Sequence, residues 1–316
     1  MNTSWQTAYL AVVNNAHTLT KDSDGNAIIV FNLSSLAPSE NAAVSYSVKL
    51  EERSRSPPKI SLASSGNLSE IPEKLKEEYG RTVGSWIIDE DLKSLANMIW
   101  ASQGKTPNVL RIASAFADWI GRNIKSVSHD IPYYPDETYL SNEGDCDDQA
   151  NLLIALCRTL GIPAYLQIGS LRWSSQNETF WNGHITSDLM GITYHGWAVV
   201  YVPPWGWLPF DMTRGWSISD SLSVITSASI WSLSAMAMSN ITKSDWPGEG
   251  RAQKTSITSS SIYINYDETL TIRDSEGLQF LLDDWRFWRT IITVISVSAV
   301  IAVTLERYRH LHLEKP

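Results

Sequence analysis

The chain is poor in cysteine. Only two occur among its 316 residues, Cys146 and Cys157. They lie on one predicted helix, whose usual rise separates them by roughly 16 Å. A disulfide requires Cα atoms within about 7 Å of each other. We therefore expect two free thiols, and the cysteines give no indication of the redox compartment.

The chain also lacks an excess of positive charge. Its 25 Lys and Arg residues are outnumbered by 34 Asp and Glu residues, which gives a formal net charge of −9. Because no Lys/Arg cluster is available to neutralise phosphates, nucleic acid is excluded as a partner. Internal repeats are absent as well. With 43% hydrophobic and 19% charged residues, the chain can bury a sizeable core.

A long uncharged run occurs near the C-terminus, at Thr290–Leu305. Its sixteen residues would span roughly 24 Å as a helix, against a hydrocarbon core of about 30 Å. Aromatic and basic residues flank it, and Arg289 and Arg307 can reach the two interfaces. We predict a single-pass C-terminal transmembrane helix. The alternative is a buried helix or a pair of strands, which the Val, Ile and Thr content favours.

The orientation of this segment rests on two signals. Basic residues after the run favour a cytoplasmic tail. Sequons for N-glycosylation suit an exported surface, and they begin at Asn2, Asn32, Asn67, Asn177 and Asn240. We therefore expect an extracellular body. Since the first residues do not resemble a signal peptide, a tail-anchored cytoplasmic protein stays open as the alternative.

The chain divides into three predicted regions. Residues 1–65 are strand-rich, residues 66–280 form the main domain with a core at about 95–215, and residues 285–316 hold the anchor and a short tail. In the main domain the periodicity predicts helices first and strands later. The predicted helices cover 70–79, 90–102, 108–125 and 146–160; the predicted strands cover 164–169, 194–202, 207–212 and 261–266, and 174–182 is a predicted polar loop.

The two cysteines differ in their surroundings. Cys157 belongs to the apolar face of its helix and is a predicted core residue. Cys146 begins the helix, where unpaired N–H groups favour a thiolate. Asp145 and Asp148 have the spacing of a capping box around that first turn. These features make Cys146 the candidate nucleophile.

Negative charge surrounds Cys146. Asp145, Asp147 and Asp148 raise the pKa of its thiol by like-charge repulsion, so a thiolate there requires a nearby cation, and an imidazolium is the natural candidate. The same carboxylates together with Glu143 could instead bind a hard cation such as Ca²⁺. Their spacing lacks the glycine and the distal glutamate of an EF-hand, and we predict no metal site.

His195 is the histidine that best fits this role, because it opens a strong apolar strand and the next strand carries Asp211. A five-residue loop would pair Tyr201 with Trp207 and place Trp197 opposite Asp211, with His195 as the diagonal neighbour on the same face. Diagonal Cβ atoms lie roughly 7 Å apart, within reach of a carboxylate–imidazole hydrogen bond. A four-residue loop would place the two side chains on opposite faces.

Four motifs stand at these positions: GDC at 144–146, CRTLGIPA at 157–164, HGW at 195–197 and WLPFD at 207–211. Together they resemble the transglutaminase-like superfamily, within the wider papain-like cysteine enzymes. The resemblance covers roughly residues 95–215. It implies an α+β fold in which the cysteine helix packs on an antiparallel sheet that carries the histidine and the aspartate.

The resemblance also implies a catalytic triad, with Cys146 as nucleophile, His195 as general base and acid, and Asp211 as orienting residue. Gly196 stands where many relatives have alanine, which we expect only to loosen the strand. Tyr165 stands where arginine is frequent, which we expect to alter the cleft.

The backbone N–H of Cys146 would supply one oxyanion donor. Candidates for the second donor are Tyr133, Tyr134 and an upstream tryptophan.

These observations favour a membrane-anchored hydrolase or acyltransferase that acts on amide bonds of a protein or peptide substrate and needs no cofactor. The alternative is a catalytically inactive scaffold that binds a protein or glycan partner. An intact Cys/His/Asp set favours the enzyme. The sequence leaves the oligomeric state open.

Overall fold

The structure, a computed structural model, describes residues 1–33, 36–233, 235–260, 262–274 and 290–294 of the chain. The chain forms two compact units. The first, which we call the cysteine unit, consists of Arg55–Ser170 and Tyr194–Gly250. The second, the sheet unit, gathers Met1–Ser54, Leu171–Thr193 and the residues from 251 onward.

The secondary structure is mixed, as the α+β prediction requires. Numbered along the chain, the described helices are α1 (Glu73–Tyr79), α2 (Glu90–Ser102), α3 (Val109–Asn123), α4 (Pro135–Ser141), α5 (Cys146–Thr159), α6 (Ser223–Thr226) and α7 (Trp246–Ser259). The described strands are β1 (Gln6–Val13), β2 (His17–Lys21), β3 (Ala27–Phe31), β4 (Tyr46–Glu52), β5 (Lys125–Ser126), β6 (Glu143–Gly144), β7 (Ala164–Arg172), β8 (Gln176–Phe180), β9 (Ile185–Met190), β10 (Ile192–Val202), β11 (Gly206–Phe210), β12 (Ala235–Ile241), β13 (Ile264–Asp274) and β14 (Thr290–Val294).

Side-chain caps set the starts of α2 and α3. Asp89 Oδ1 accepts the backbone N–H of Leu92 at 2.8 Å, and Asn108 Oδ1 accepts that of Arg111 at 2.9 Å. Each cap satisfies a donor that the helix itself leaves unpaired. Both predicted helices are confirmed. The apolar stripe of α3 is fully buried and consists of Leu110, Ala113, Phe116, Ala117 and Ile120.

Helix α5 lies in the core of the cysteine unit, where it packs against α2, α3 and α4. Cys157 is fully buried in that core, as predicted. The helix ends before Gly161, whose φ of +71° reverses the chain in the left-handed region that favours glycine. Arg158 stabilises the C-terminal end of α5, because its guanidinium donates to the carbonyl of Ala164 at 2.9 and 2.7 Å.

A four-stranded sheet, in the order β11-β10-β7-β12, completes the cysteine unit. Strands β10 and β11 are antiparallel, with Tyr201 opposite Trp207 and Val202 opposite Gly206. This is the register that the sequence predicted for the His195 and Asp211 strands. Strand β12 comes from a Ser- and Ala-rich stretch whose pattern predicted no structure.

The sheet unit is built on a six-stranded sheet in the order β1-β4-β14-β13-β9-β8, with β2 and β3 forming a separate antiparallel pair. Strands β9 and β13 are parallel, and Ile185 lies opposite Ile264. The predicted polar loop over 174–182 is wrong, because Gln176–Phe180 form the edge strand β8. Backbone pairing with β9 needs no apolar side chains, so periodicity gives no signal for such a strand.

The predicted transmembrane segment, Thr290–Leu305, falls mostly outside the described residues. Its first five residues form β14, which pairs antiparallel with β4 and β13. Among the helices that the structure describes, none combines the length and the apolar character needed to cross a bilayer.

Candidate functional site

Helix α5 begins at Cys146 because two aspartates cap it. The backbone N–H of Asp145 donates to Asp148 Oδ2 at 3.1 Å. The other oxygen of Asp148 accepts the N–H of Tyr133 at 2.6 Å. Since Asp148 is fully buried, its carboxylate serves the fold, in the capping arrangement that the sequence predicted.

The sulfur of Cys146 lies at this first helical turn. It accepts the backbone N–H groups of Gly196 and of Asp147. Burial raises the pKa of the thiol well above its usual range, and the carboxyl groups of Asp147 and Asp145 raise it further. The two N–H groups oppose these effects without cancelling them. Cys146 is therefore a neutral thiol in the resting protein.

His195 on β10 and Asp211, which directly follows β11, form a buried pair. The Nε2 atom of His195 lies 3.0 Å from Asp211 Oδ1, and both side chains are almost completely shielded from solvent. The ladder between β10 and β11 puts the two side chains on one face, as the register argument required. The His195 ring also lies against Trp197, with ring centroids 5.7 Å apart.

Asp211 stays ionised because several donors face it. Its Oδ2 accepts the N–H of Ser229 at 2.9 Å, and its Oδ1 accepts the N–H of Arg214 at 3.3 Å. Burial alone would raise the pKa of Asp211, but the hydrogen bond and charge of His195, together with Ser229, hold it below its usual range. The carboxylate can thus orient the imidazole and balance its positive charge.

Strand β10 meets the start of α5 at Gly196. A Cβ atom built there would lie 2.9 Å from Asp147 Cβ and 3.3 Å from Asp147 Cα. The glycine is therefore needed for this close approach, and our expectation that it only loosens the strand is wrong. The contact joins the residue after His195 to the residue after Cys146, which brings the histidine strand to the thiol.

The carboxyl groups considered above for calcium have different partners. Glu143 forms an ion pair with Lys125 at 3.2 Å, and Asp148 accepts backbone N–H groups. The sulfur of Cys146 and one carboxyl oxygen each of Asp145 and Asp147 lie within 4.8 Å of one another. Burial, followed by the charge of Asp145, raises the pKa of Asp147 to about 8. The absence of a metal site stays a prediction.

The aromatic candidates have other partners. The hydroxyl of Tyr134 donates to Asp245 Oδ2 at 2.9 Å, and the ring of Tyr133 stacks on His129 with centroids 4.0 Å apart. The second oxyanion donor therefore stays a prediction. Tyr165 packs in an aromatic cluster, 5.0 Å between centroids from Trp207.

Two contributors to the site were not predicted from the sequence. Ser229 supplies a backbone N–H to Asp211. Trp246 donates its indole N–H to Asp147 Oδ2 at 2.6 Å. Both come from the region after residue 217, where sequence patterns were weak, and a contact across 99 positions has no local signal.

Residues 94–212 match the family model described as the transglutaminase-like superfamily. This part of the chain belongs to the transglutaminase-like superfamily. The match contains Cys146, His195 and Asp211, and it ends before Ser229 and Trp246. The transglutaminase-like segment therefore carries all three predicted catalytic residues, while residues outside it complete their surroundings.

Known proteins similar to the chain include YebA of Bacillus subtilis (strain 168), which is uncharacterized. It is 25% identical over 118 residues, which amount to 35% of this chain and 16% of YebA. A provisionally assigned cysteine protease from Cytophaga hutchinsonii has a TM-score of 0.46 and 18% identity, over 77% of this chain and 73% of that one. The periplasmic domain of TgpA from Pseudomonas aeruginosa, bound to ethylmercury, has a TM-score of 0.32 and 13% identity, over 64% and 77%.

Proposed function

We propose that the chain is a membrane-anchored, transglutaminase-like cysteine enzyme that cleaves or transfers amide acyl groups of peptides or glutamine side chains through a thioester on Cys146. The observation that supports this most is the buried 3.0 Å hydrogen bond between His195 Nε2 and Asp211 Oδ1. The strand that carries His195 also brings the backbone N–H of Gly196 to the thiol at the start of α5. Nucleophile, base and orienting carboxylate are the components of thiol acyl transfer.

The hydrogen bonds support a proposed role for each atom. With Nε2–H donating to Asp211, Nδ1 of the neutral imidazole is the acceptor for the thiol proton. Because the thiol is neutral at rest, its proton moves to Nδ1 as the sulfur attacks the carbonyl carbon. Asp211 stabilises the resulting imidazolium, which then gives the proton to the leaving amine. The backbone N–H of Cys146 donates to the oxyanion.

The thioester is then resolved by water or by an amine. His195 removes a proton from the attacking molecule, and the bond between sulfur and the acyl carbon breaks to restore the thiol. We place hydrolysis first, because water requires no binding site of its own.

A catalytically inactive scaffold is the second candidate. It is favoured by the raised pKa of the Cys146 thiol, since a thiol beside two carboxyl groups is a weak nucleophile without a base. In that case the protein or glycan partner would bind equally well whether or not position 146 carries a sulfur.

Turnover of a panel of peptide and glutamine amides by the full-length chain distinguishes the two. We expect product from the wild type and none from Cys146→Ala or His195→Ala. His17→Ala is the matched control, because His17 is exposed on β2, and it should keep full activity. If neither the wild type nor any variant turned over an amide of the panel, and partner binding were unchanged in Cys146→Ala, the scaffold would be favoured.

We also propose that residues 285–316 anchor the chain, which requires Thr290–Val294 to leave the sheet in which they form β14, and that the body is extracellular. The uncharged run with flanking aromatic and basic residues supports the anchor, and the five sequons support the orientation. Protease treatment of sealed right-side-out vesicles should digest the body. Digestion in inside-out vesicles instead would place the body in the cytoplasm.

A further inference from the structure

The two carboxyl groups nearest the Cys146 thiol lie close to each other. One oxygen of Asp145 and one of Asp147 lie within 4.8 Å of the sulfur and of each other. Burial raises the pKa of both carboxyl groups. Two ionised carboxylates this close would repel each other and would leave Asp145 Oδ1 buried without a donor. One proton held between the two groups removes both costs.

The remaining contacts show where that proton lies. Asp145 Oδ2 accepts the backbone N–H of His129 at 3.2 Å. Asp145 Oδ1 is buried, and no N–H or O–H group in the described part of the chain donates to it. Asp147 Oδ2 accepts the indole N–H of Trp246 at 2.6 Å, which leaves its other oxygen for Asp145. A proton on that oxygen satisfies a buried acceptor that would otherwise be unpaired.

Trp246 is held independently of the thiol. Its backbone N–H donates to Ser85 Oγ at 2.8 Å, and Ser85 is fully buried. The preceding residue, Asp245, accepts the hydroxyl of Tyr134 at 2.9 Å. The indole therefore reaches Asp147 from a fixed position, and its hydrogen bond restrains the orientation of the carboxyl group.

We propose that Asp147 is a positioning residue of the thiol site, which shares a proton with Asp145, is held by Trp246, and leaves Cys146 beside one negative charge instead of two. This inference deepens the proposed function, because it concerns the nucleophile on which that function rests. A second charge at this distance would suppress the thiolate that forms during attack.

Other charged or titratable groups around the pair come from each neighbouring element. Asp148 lies on α5 itself, His129 on the loop before α4, and His195 on β10. Asp245 lies at the start of α7 and contacts Tyr134 just before α4. Burial, followed by the charge of Asp145, raises the pKa of Asp147 to about 8, which agrees with a neutral Asp147 at neutral pH.

The test is the rate of Cys146 alkylation by iodoacetamide in the full-length chain from about pH 6 to pH 10, measured by mass spectrometry. Asp147→Asn copies the protonated carboxyl group, since its carbonyl accepts from Trp246 and its amide donates to Asp145. We expect it to react within about twofold of the wild type below pH 7. At about pH 9, where the wild type has lost the shared proton, it should react at least about tenfold faster.

Two further variants complete the design. Trp246→Phe removes only the indole N–H that donates to Asp147. Loss of this donor favours the protonated carboxyl group of Asp147. The pH at which the alkylation rate departs from that of Asp147→Asn should therefore be higher than in the wild type. Trp100→Phe is the matched control, because it also loses an indole hydrogen bond, of 2.7 Å to the Thr106 carbonyl, and it should follow the wild type.

A constant ratio between wild type and Asp147→Asn at every pH would overturn the proposal. Infrared spectroscopy gives a second readout. At neutral pH the wild type should show a carboxylic-acid carbonyl band that Asp147→Asn lacks, and a wild-type spectrum without this band would also overturn the proposal. The band is read in the wild type, so this readout serves even if a variant folds poorly. Alkylation needs no substrate. A chain that turned over no amide would refute the proposed function and leave this inference standing.

Discussion

At the scale of single residues, solvation decides how each ionisable side chain of the site behaves. Burial raises the pKa of both thiols, but only the Cys146 sulfur also accepts two backbone N–H groups and lies beside the strand that carries the histidine. Cys157 is fully buried among apolar side chains and is a core residue. Asp211 stays ionised in a similarly buried position, because donor or charge contacts from His195, Ser229 and Arg214 act on it.

Asp211→Asn tests the orienting role. The amide keeps the shape of the side chain but loses the charge that stabilises the imidazolium, and its NH₂ group can favour the wrong tautomer of His195. We expect turnover to fall roughly 10²- to 10⁴-fold, the usual contribution of a positioned general base. Steady-state kinetics with the most active amide measures it. Asp188→Asn, an exposed residue of β9, is the control, and an equal loss in both variants would argue against the role.

At the scale of elements, the site depends on how closely β10 approaches the start of α5. Gly196→Ala tests this contact, because the added Cβ would lie 2.9 Å from Asp147 Cβ. Relief of that overlap requires a shift of strand or helix, which typically costs about 1–3 kcal/mol. We expect a lower free energy of unfolding in urea and slower alkylation of Cys146. Unchanged values of both would show that the two elements do not meet at this residue.

Arg158 fixes the other end of α5, and a single lysine cannot replace it. Its guanidinium donates to the carbonyls of Ala164, Arg81 and Thr242, and it lies 4.0 Å from the ring centroid of Trp86. Arg158→Lys keeps the charge but loses the planar fork and leaves buried carbonyls unpaired. We expect a loss of about 2–4 kcal/mol in the free energy of unfolding. The exposed Arg122→Lys should cost less than about 0.5 kcal/mol.

Elements with a strong local pattern were predictable from the sequence. The capping residues Asp89 and Asn108 and the stripe of α3 are local, and a turn of fixed length sets the register of Tyr201 against Trp207. Strand β8 was missed because its polar side chains carry no period. The contact between Asp147 and Trp246 was missed because only the folded chain brings these two residues together.

At the scale of the whole molecule, the aspartates around Cys146 link stability to pH. The folded-state pKa is raised to about 8 for Asp147 and about 6 for Asp148, whereas both are near 3.9 in the unfolded chain. At pH values between the unfolded-state and folded-state pKa, folding therefore takes up protons. The contribution of these groups to the free energy of unfolding is lost as pH rises from about 4 toward 8. Asp211 has a lowered pKa, so its contribution is present above about pH 4 and is lost as pH falls further.

We thus expect the thermal midpoint of the wild type to be highest in mildly acidic solution and to decline toward pH 8. Asp147→Asn removes the group with the highest folded-state pKa and should flatten that decline. Calorimetry of both proteins across about pH 4 to 9 measures the effect. A wild-type midpoint that rises steadily from pH 5 to pH 8 would be inconsistent with protonated aspartates beside Cys146.

The central claim is that Cys146 forms a thioester with an amide substrate while His195 moves the proton and Asp211 orients it. The most direct measurement is acid quenching of the full-length chain during turnover, followed by mass spectrometry of the peptide that contains Cys146. The account predicts an acyl adduct on Cys146 that is absent in His195→Ala and is released on incubation with water or an amine. Turnover of the same amide without any adduct, or undiminished turnover by Cys146→Ala, would contradict it.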